Sequence, residues 1–434
     1  MAKAKSKKIT LEEALVPVEE QPYKVPENWC WIHLLDSFDN VTDSKKKLAT
    51  KEYLEDGEYP IIDQGQDFIG GYTDDADMIY DGELPIVIFG DHTRCIKYID
   101  FQFAQGADGV KVLKPKQFWN DKAFYYAMQS IEIPNMGYRR HYPLFKDFCI
   151  PLPPLAEQKR IVEQIESLFS KLDEAKEKAQ EVIDRIETNI EAILYNAFSG
   201  KLTQYWRKEN GVDYNWEKST LSKIVSGLKY GSSEKSDNNN NGTPVLRIPN
   251  IGEGVIDFSD LKYMQGELEN SSHEVFENDI LIIRSNGSRD LVGKCAIVPA
   301  LERRFAYASF LIRIKASDKV LPNYLVRYIN SSMARGQLFA KAKSSSGIHN
   351  INSKELGSIR IDVPTIEEQT EILKIIEPLI KKELAVKNIT SHMIENIAEL
   401  KKSILTKAFR GELGTNVSLE ESSIELLKKT IEEG

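Results

Sequence analysis

The chain has 434 residues, 41% of them hydrophobic and 28% charged, with a net charge of −9 at pH 7. That length is too great for one core and predicts two or three domains. The acidic balance argues against a nonspecific nucleic-acid binder, whose affinity comes from neutralising phosphates. No apolar run reaches membrane-spanning length, and the basic N-terminus MAKAKSKK is followed by no apolar segment, so it is not a secretory signal. Cys30, Cys95, Cys149 and Cys295 are scattered without a C-x-x-C, which argues against zinc and fits reduced thiols in a cytosol.

Residues 1–25 read as an N-terminal arm or frayed helix. From 26 to 150 short apolar runs (YPIID, LPIVIF, CIKYIDF, DGVKVL) alternate with Gly and Asp clusters, the pattern of a compact mixed domain of short strands. A helix is expected over about Phe118 to Ser130, and an exposed polar-aromatic loop over Asn135 to Tyr142. Residues 151–204 then form a long helix. Pro153 and Pro154 mark its start and Gly200 its end. Ile161, Ile165, Leu168, Leu172, Ala175, Ala179, Val182 and Ile186 alternate steps of four and three, the seam of a coiled coil, with one slip before Ile190.

The pattern then starts again. Over 205–360, TPVLRIPNI follows YPIIDQGQ, DILIIRSNG follows LPIVIFGDH, and FAYASFLIRIK follows FQFAQGADGVKVLK. Lys235 to Gly242 is a polar low-complexity loop, Tyr324 to Ser331 a helix, and Lys341 to Asn350 takes the place of GYRRH in the first half. Residues 361–414 repeat the long helix. Pro153 and Pro364, Gln158 and Gln369, Phe198 and Phe409, and Gly200 and Gly411 lie 211 residues apart without a gap. Its seam reads Ile372, Ile376, Leu379, Val386, Met393, Ile397, Ile404 and Ala408, with Glu383 and Thr390 as polar breaks. Each helix spans about 65 Å at ~1.5 Å per residue and needs a partner for its stripe. That partner is either its neighbouring domain or, the favoured reading, the other helix running antiparallel. Residues 415–434 read as a short, acidic, loose tail.

Catalytic signatures are missing. No Asn/Asp-Pro-Pro-Tyr/Phe tetrapeptide, phosphate loop or Pro-Asp dipeptide occurs, and the six histidines lack ligand spacing. Charge is uneven: residues 26–150 hold 13 Lys and Arg against 21 Asp and Glu, whereas residues 212–363 hold 20 against 17. Basic residues nonetheless fall in expected loops: Arg94, Arg139, Arg140, Arg247, Arg284, Arg289, Lys341 and Lys343. Arg, Asn, Gln, Tyr and Ser in loops are residue types that read base edges, although any one of them is as readily a solvated surface group.

PLPPLAEQKRIV at the helix start, the endings NAFSGKL and KAFRGEL, the Asn-Trp opening of both domains, FGDHTRCIKYIDFQFAQGADGVKVL and GYRRHY are together similar to the specificity subunit of type I restriction-modification enzymes, over about residues 25–415. The departure is Thr365-Ile366-Glu367 at the second helix start. The resemblance implies an α+β fold of two globular target recognition domains separated by two long antiparallel coiled-coil helices, with a pseudo-twofold internal repeat. It implies a non-catalytic, cytoplasmic chain that reads an asymmetric bipartite sequence on double-stranded DNA. Its implied partners are two modification subunits and restriction subunits. No cofactor belongs to this chain; S-adenosylmethionine, ATP and magnesium would serve the partners. By position, the candidate DNA contacts are Gln64, Gln66, His92, Arg94, Tyr138, Arg139, Arg140 and His141 in the first domain. In the second they are Arg247, Asn250, Arg284, Asn286, Arg289, Lys343, Ser344, Ser345, His349 and Asn350. A different reading is a coiled-coil scaffold presenting two protein-binding modules without DNA specificity. Failure to direct sequence-dependent methylation beside a methyltransferase subunit would favour it.

Overall fold

The computed structural model describes residues 10–106, 109–265, 268, 273–341, 343–345 and 348–433; the basic N-terminus lies outside them. The chain forms two compact units. Unit 1 joins Met1–Ala179 to His392–Gly434, and unit 2 is Gln180–Ser391. Each unit therefore takes half of each long helix.

In unit 1 a four-stranded antiparallel sheet runs in the order Phe38–Asn40, Val110–Pro115, Ile86–Gly90, Ile96–Ile99. Ile86–Gly90 is buried throughout because both of its faces are covered, which is why its sequence is an unbroken apolar run. Val87 and Phe89 face a core with Trp29 and Phe124, while Ile86 and Ile88 face one with Ile62 and Phe103. A smaller sheet places Tyr59–Ile62 between Gly71–Thr73 and a parallel partner, Ala104–Gln105. Cys30–His33 pairs with Cys149–Leu152, bringing together the two ends of the domain. The helix Asp121–Ser130 is capped by Asn120, whose Oδ1 accepts the Ala123 N–H at 3.1 Å.

Unit 2 repeats this plan. Its first sheet runs Val225–Tyr230, Leu311–Ala316, Ile280–Ile283, Cys295–Ile297, Gly254–Val255. In its second, Thr243–Leu246 pairs in parallel with Phe305–Tyr307, the counterpart of the parallel pair in unit 1. Glu217–Thr220 pairs with Arg360–Val363 to bring the domain ends together. A further three-stranded ribbon runs Ser285–Asn286, Ile348–Asn350, Lys343–Ser345.

The long helices are Leu155–Phe198 and Ile366–Ala408. Gly200 and Gly411 follow them at φ +73° and +74°, the left-handed turn that glycine adopts without strain. In unit 1, Ile161, Val162 and Ile165 share a core with Leu405, Ala408 and Phe409, and Lys401 bonds Asp173 at 2.6 Å. In unit 2, Leu194, Ala197 and Phe198 share a core with Ile372, Ile376 and Ile380, and Lys387 bonds Glu187 at 3.0 Å. Early residues of one helix meet late residues of the other in both units, so the segments run antiparallel. Each also packs on its own domain, and both packing alternatives hold at once.

The seam differs from its expected register. Val182 is exposed and Ile183 buried, so the slip comes about two turns earlier than expected, between Ala179 and Ile183. On the second helix Leu379, Val386 and Met393 are exposed, and the seam passes through Ile380, Lys387 and Ile394. Two successive steps of four, Ile372 to Ile376 to Ile380, turn the face by one position because 3.6 residues per turn drifts against a heptad.

The described residues near each end, from Thr10 and up to Glu433, pack on unit 1, where an arm or frayed helix and a loose tail were expected. Ser423–Glu433 is a helix whose Ile424, Leu427 and Ile431 meet the unit 1 core, with Leu427 2% exposed. The steps of three and four make that face apolar despite the acidic composition. Arg160 grips Glu420 through two bonds of 2.8 and 2.7 Å, and Ser423 donates to the Asn28 carbonyl. Leu11–Ala14 is a short helix closed by a Thr10–Glu13 capping box, with Ala14 in the same core.

Candidate nucleic-acid interface

The repeated Glu-Gln at each helix start fixes the domain to the helix. Gln158 accepts the Asn120 N–H at 2.6 Å and donates to the carbonyls of Phe118 and Pro153, both at 2.9 Å. Gln369 does the same with the Leu321 N–H and the carbonyls of Lys319 and Pro364. Both side chains are fully buried, so each satisfies three backbone groups that have no water to turn to. The preceding carboxylates hold the opening tryptophans. Glu157 accepts Trp29 Nε1–H at 2.6 Å, and Glu368 accepts Trp216 Nε1–H at 2.9 Å. Thr415 and Asn416 also donate to Glu157, whereas Thr203 and Arg207 donate to Glu368. The sequence signal for this anchor was the Glu-Gln pair recurring 211 residues on beside the two Asn-Trp openings; what it could not show was that the two features bond each other.

On this frame three loops of unit 1 converge: 63–67, 90–95 and 135–142. The tie is Asp91. Its carbonyl accepts the His141 N–H and lies 2.8 Å from His141 Nδ1, while its carboxylate accepts the Tyr142 N–H at 2.8 Å. His141 Nε2 accepts the Met136 N–H at 3.2 Å, so the ring proton sits on Nδ1. His141 is thus fully buried, not an exposed loop group as its neighbours are, because both ring nitrogens serve the backbone. Tyr138 is 87% exposed and stacks on His92, with centroids 4.8 Å apart and planes 11° from parallel. Gln64 accepts the His92 N–H at 3.1 Å. Arg94, at φ +62°, donates to the Ile133 carbonyl at 3.0 Å. Gln66, Arg139 and Arg140 are exposed.

Unit 2 has the same tie from different residues. The Ile351 N–H donates to the Arg284 carbonyl at 2.8 Å, as His141 does to Asp91. The ribbon then pairs Ser285 with Asn350 and Asn286 with His349. Lys343, Ser344 and Ser345 form its outer strand, of which only the backbone lies within the described structure. The Arg284 guanidinium lies 4.8 Å from the Tyr230 ring centroid, and that of Arg289 5.1 Å from Phe339. Arg247 and Asn250 lie on the loop after Thr243–Leu246. Arg247 is paired with Asp260 at 2.9 Å. Asn250 is fully buried and donates to the carbonyls of Asp257 and Asp260, so it is a loop brace rather than an exposed reader.

Some of the buried polar atoms without a hydrogen-bond partner lie at these loops. Among the described residues they include His92 Nδ1 in unit 1, and Arg247 Nε, Arg284 Nε and Asn350 Oδ1 in unit 2. No group of three His, Cys, Asp or Glu among the described residues could hold a metal ion, and no described helix is long and apolar enough to cross a membrane.

A family model described as the type I restriction modification DNA specificity domain matches residues 26–185 and again 214–396. The EcoKI specificity subunit of Escherichia coli (strain K12) is 31% identical over 290 residues, covering 64% of this chain and 62% of that one. The StySPI specificity subunit of Salmonella potsdam is 27% identical over 266 residues, covering 61% and 57%. The chain thus spans about three-fifths of the length of these relatives. A chain from a solved structure of a type I R-M system superposes with a TM-score of 0.61 at 19% identity, covering 90% of this chain and 100% of that one, a likeness that speaks for the fold. The two matched segments fall one on each repeat of domain and helix, and the chain belongs to the family defined by the type I restriction modification DNA specificity domain, which it carries twice.

Proposed function

We propose that this chain is the cytoplasmic sequence-reading subunit of a type I restriction-modification complex, with each unit reading one half of an asymmetric bipartite site on double-stranded DNA. The observation that carries this reading is the shared tie, Asp91–His141 and Arg284–Ile351, which presents different polar loops at the same point of two like scaffolds. Shared scaffolds with unlike loops suit readers of unlike half-sites. The contacting groups in unit 1 would be Gln64, Gln66, His92, Arg94, Tyr138, Arg139 and Arg140. In unit 2 they would be Arg247, Arg284, Asn286, Arg289, Lys343, Ser344, Ser345, His349 and Asn350. The chain's acidic balance fits partners that supply most phosphate contacts.

Catalysis belongs, on this reading, to the partners. Two modification subunits would methylate adenine with S-adenosylmethionine, and restriction subunits would use ATP and magnesium. Apolar residues left exposed on the second long helix offer them a surface: Leu379, Val386 and Ile389 in unit 2, Met393 and Leu400 in unit 1. The steps of seven and three in unit 2, and of seven in unit 1, match a helical partner. The long helices would set the gap between half-sites. One heptad added to both should lengthen that gap by about three base pairs, from ~10.5 Å of helix at ~3.4 Å per base pair, and leave both half-sites unchanged. An unaltered gap would remove the spacer role. The reading as a whole is tested by mapping adenine methylation in a host with and without the gene. One bipartite motif should disappear with it, and identical methylomes would overturn the proposal.

A further inference from the structure

We infer that Lys97 in unit 1 and Asn250 in unit 2 are specificity-determining positioning residues: buried clamps that fix the loop after the parallel strand and so decide which bases that loop can read. The inference rests on the DNA-reading function proposed above. Neither side chain reaches solvent; Lys97 is 3% exposed and Asn250 0%.

Lys97 lies on Ile96–Ile99, opposite Ile88. Its Nζ donates to the Asp63 carbonyl at 2.9 Å and the Asp67 carbonyl at 2.6 Å, and lies 3.7 Å from Asp63 Oδ1. An ammonium removed from water is costly unless its charge and its donors are met. Here both carbonyls come from the two ends of one loop, 63–67, so satisfying the ammonium fixes the loop's width. Asp63 tightens it further by accepting the Gly65 N–H at 2.8 Å. The residues between the two carbonyls include Gln64 and Gln66, and Gln64 bonds the His92 backbone in turn. The loop is closely packed: a Cβ at Gly70 or Gly106 would come within 2.6 or 2.5 Å of the Asp63 side chain.

Unit 2 cannot use the same clamp. Pairing of Leu281 with Ala296 sets Ala296 where Lys97 stands in unit 1. The corresponding loop is braced from within. Asn250 Oδ1 accepts the Arg247 N–H at 2.8 Å, and its Nδ2 donates to the carbonyls of Asp257 and Asp260, both at 2.9 Å. Two unlike side chains thus do one job at equivalent places: each donates to two backbone carbonyls of its loop. A single buried group on which a whole loop is hung shifts that loop when it is changed, while the sheet beneath keeps its own core.

The two half-sites supply the control. In a host whose only type I activity is this chain with its own modification subunits, adenine methylation is mapped for the wild type, Lys97→Met and Asn250→Asp. Lys97→Met keeps the stem and removes the charge; Asn250→Asp keeps the acceptor and removes both donors. Each variant should weaken base discrimination in one half-site by roughly five- to 150-fold, the range for a lost bidentate contact, and leave the other half and the gap as in wild type. Lys97→Arg, which restores the charge and the donors, should recover at least part of the lost discrimination. Thermal unfolding separates positioning from collapse: each variant strands two buried carbonyls and should melt below the wild type, yet still in one cooperative transition. Should a variant fail to fold, Gly65→Ala, which crowds Asp63 Oδ1 at 2.9 Å, is the second route to the same loop and should alter the same half-site as Lys97→Met. Unchanged motifs in folded variants, or equal loss in both halves, would overturn the clamps. A wild-type chain that directs no bipartite motif would instead overturn the function on which they rest.

Discussion

Units 1 and 2 share a frame and differ in what it holds. The frame is met by like residues at like places: Gln158 and Gln369 close three backbone groups each, and Glu157 and Glu368 each take an indole N–H. The loops are met by unlike residues, Tyr138 stacked on His92 in one and a three-stranded ribbon in the other. Even the frame departs at one point. Glu368 is paired with the buried Arg207, whereas Glu157 is held by an indole, a hydroxyl and an amide, all neutral. The difference teaches that the two units keep geometry in common while reaching it by separate electrostatics.

The largest expected effect lies at that departure. Glu368→Gln leaves the Arg207 charge buried without its counter-ion and should cost about 3–5 kcal/mol, whereas Glu157→Gln keeps an acceptor for neutral donors and should cost only about 1 kcal/mol. Denaturant unfolding of the two full-length variants measures both; equal losses would erase the distinction between the units. Next come Gln158→Leu and Gln369→Leu. Each strands three buried backbone groups, so each should cost on the order of 3 kcal/mol, and the two should match. A mismatch would show that the shared frame is not shared in energy.

Leu427→Ala should cost about 2 kcal/mol by opening a cavity under the C-terminal helix. That loss should appear as faster exchange of amides in unit 1 while those of unit 2 keep wild-type protection. The smallest effect concerns pH. The Arg160 guanidinium, hydrogen-bonded to Glu420, holds that carboxyl below the usual glutamate range. Its folded value lies below its unfolded one, so the contribution is present above the ordinary glutamate pKa and is lost as pH falls through the folded value. Limited proteolysis should therefore begin to cut around 415–422 under acid conditions first, and Arg160→Ala, which removes the pair at every pH, should open the same segment to cutting at neutral pH.

Much of this frame was legible. The gapless repeat gave the helix limits, and LPIVIF and DILIIRSNG read as strands because burial on both faces leaves an unbroken apolar run. The seam's middle was not, because a heptad template cannot tell Val182 from Ile183 when a step of four intervenes. The C-terminal helix was obscured by its charge, although Ile424, Leu427 and Ile431 have helical spacing. Within the loops, sequence alone marked candidate segments but not which way each side chain turns. His141 sits among exposed neighbours and is buried because the carbonyl of Asp91, fifty residues earlier, accepts its Nδ1–H. Lys97 reads as an outward residue in an alternating strand, and only carbonyls thirty or more residues earlier in the chain explain its burial.

The central claim is that each unit reads its own half of the DNA site. Its most direct test is adenine-methylation mapping with Tyr138, Arg139 and Arg140 replaced together by alanine, in the complex with the modification subunits. The account predicts that one half of the motif loses base discrimination while the other half and the gap persist. A motif altered in both halves, or in neither, would contradict it.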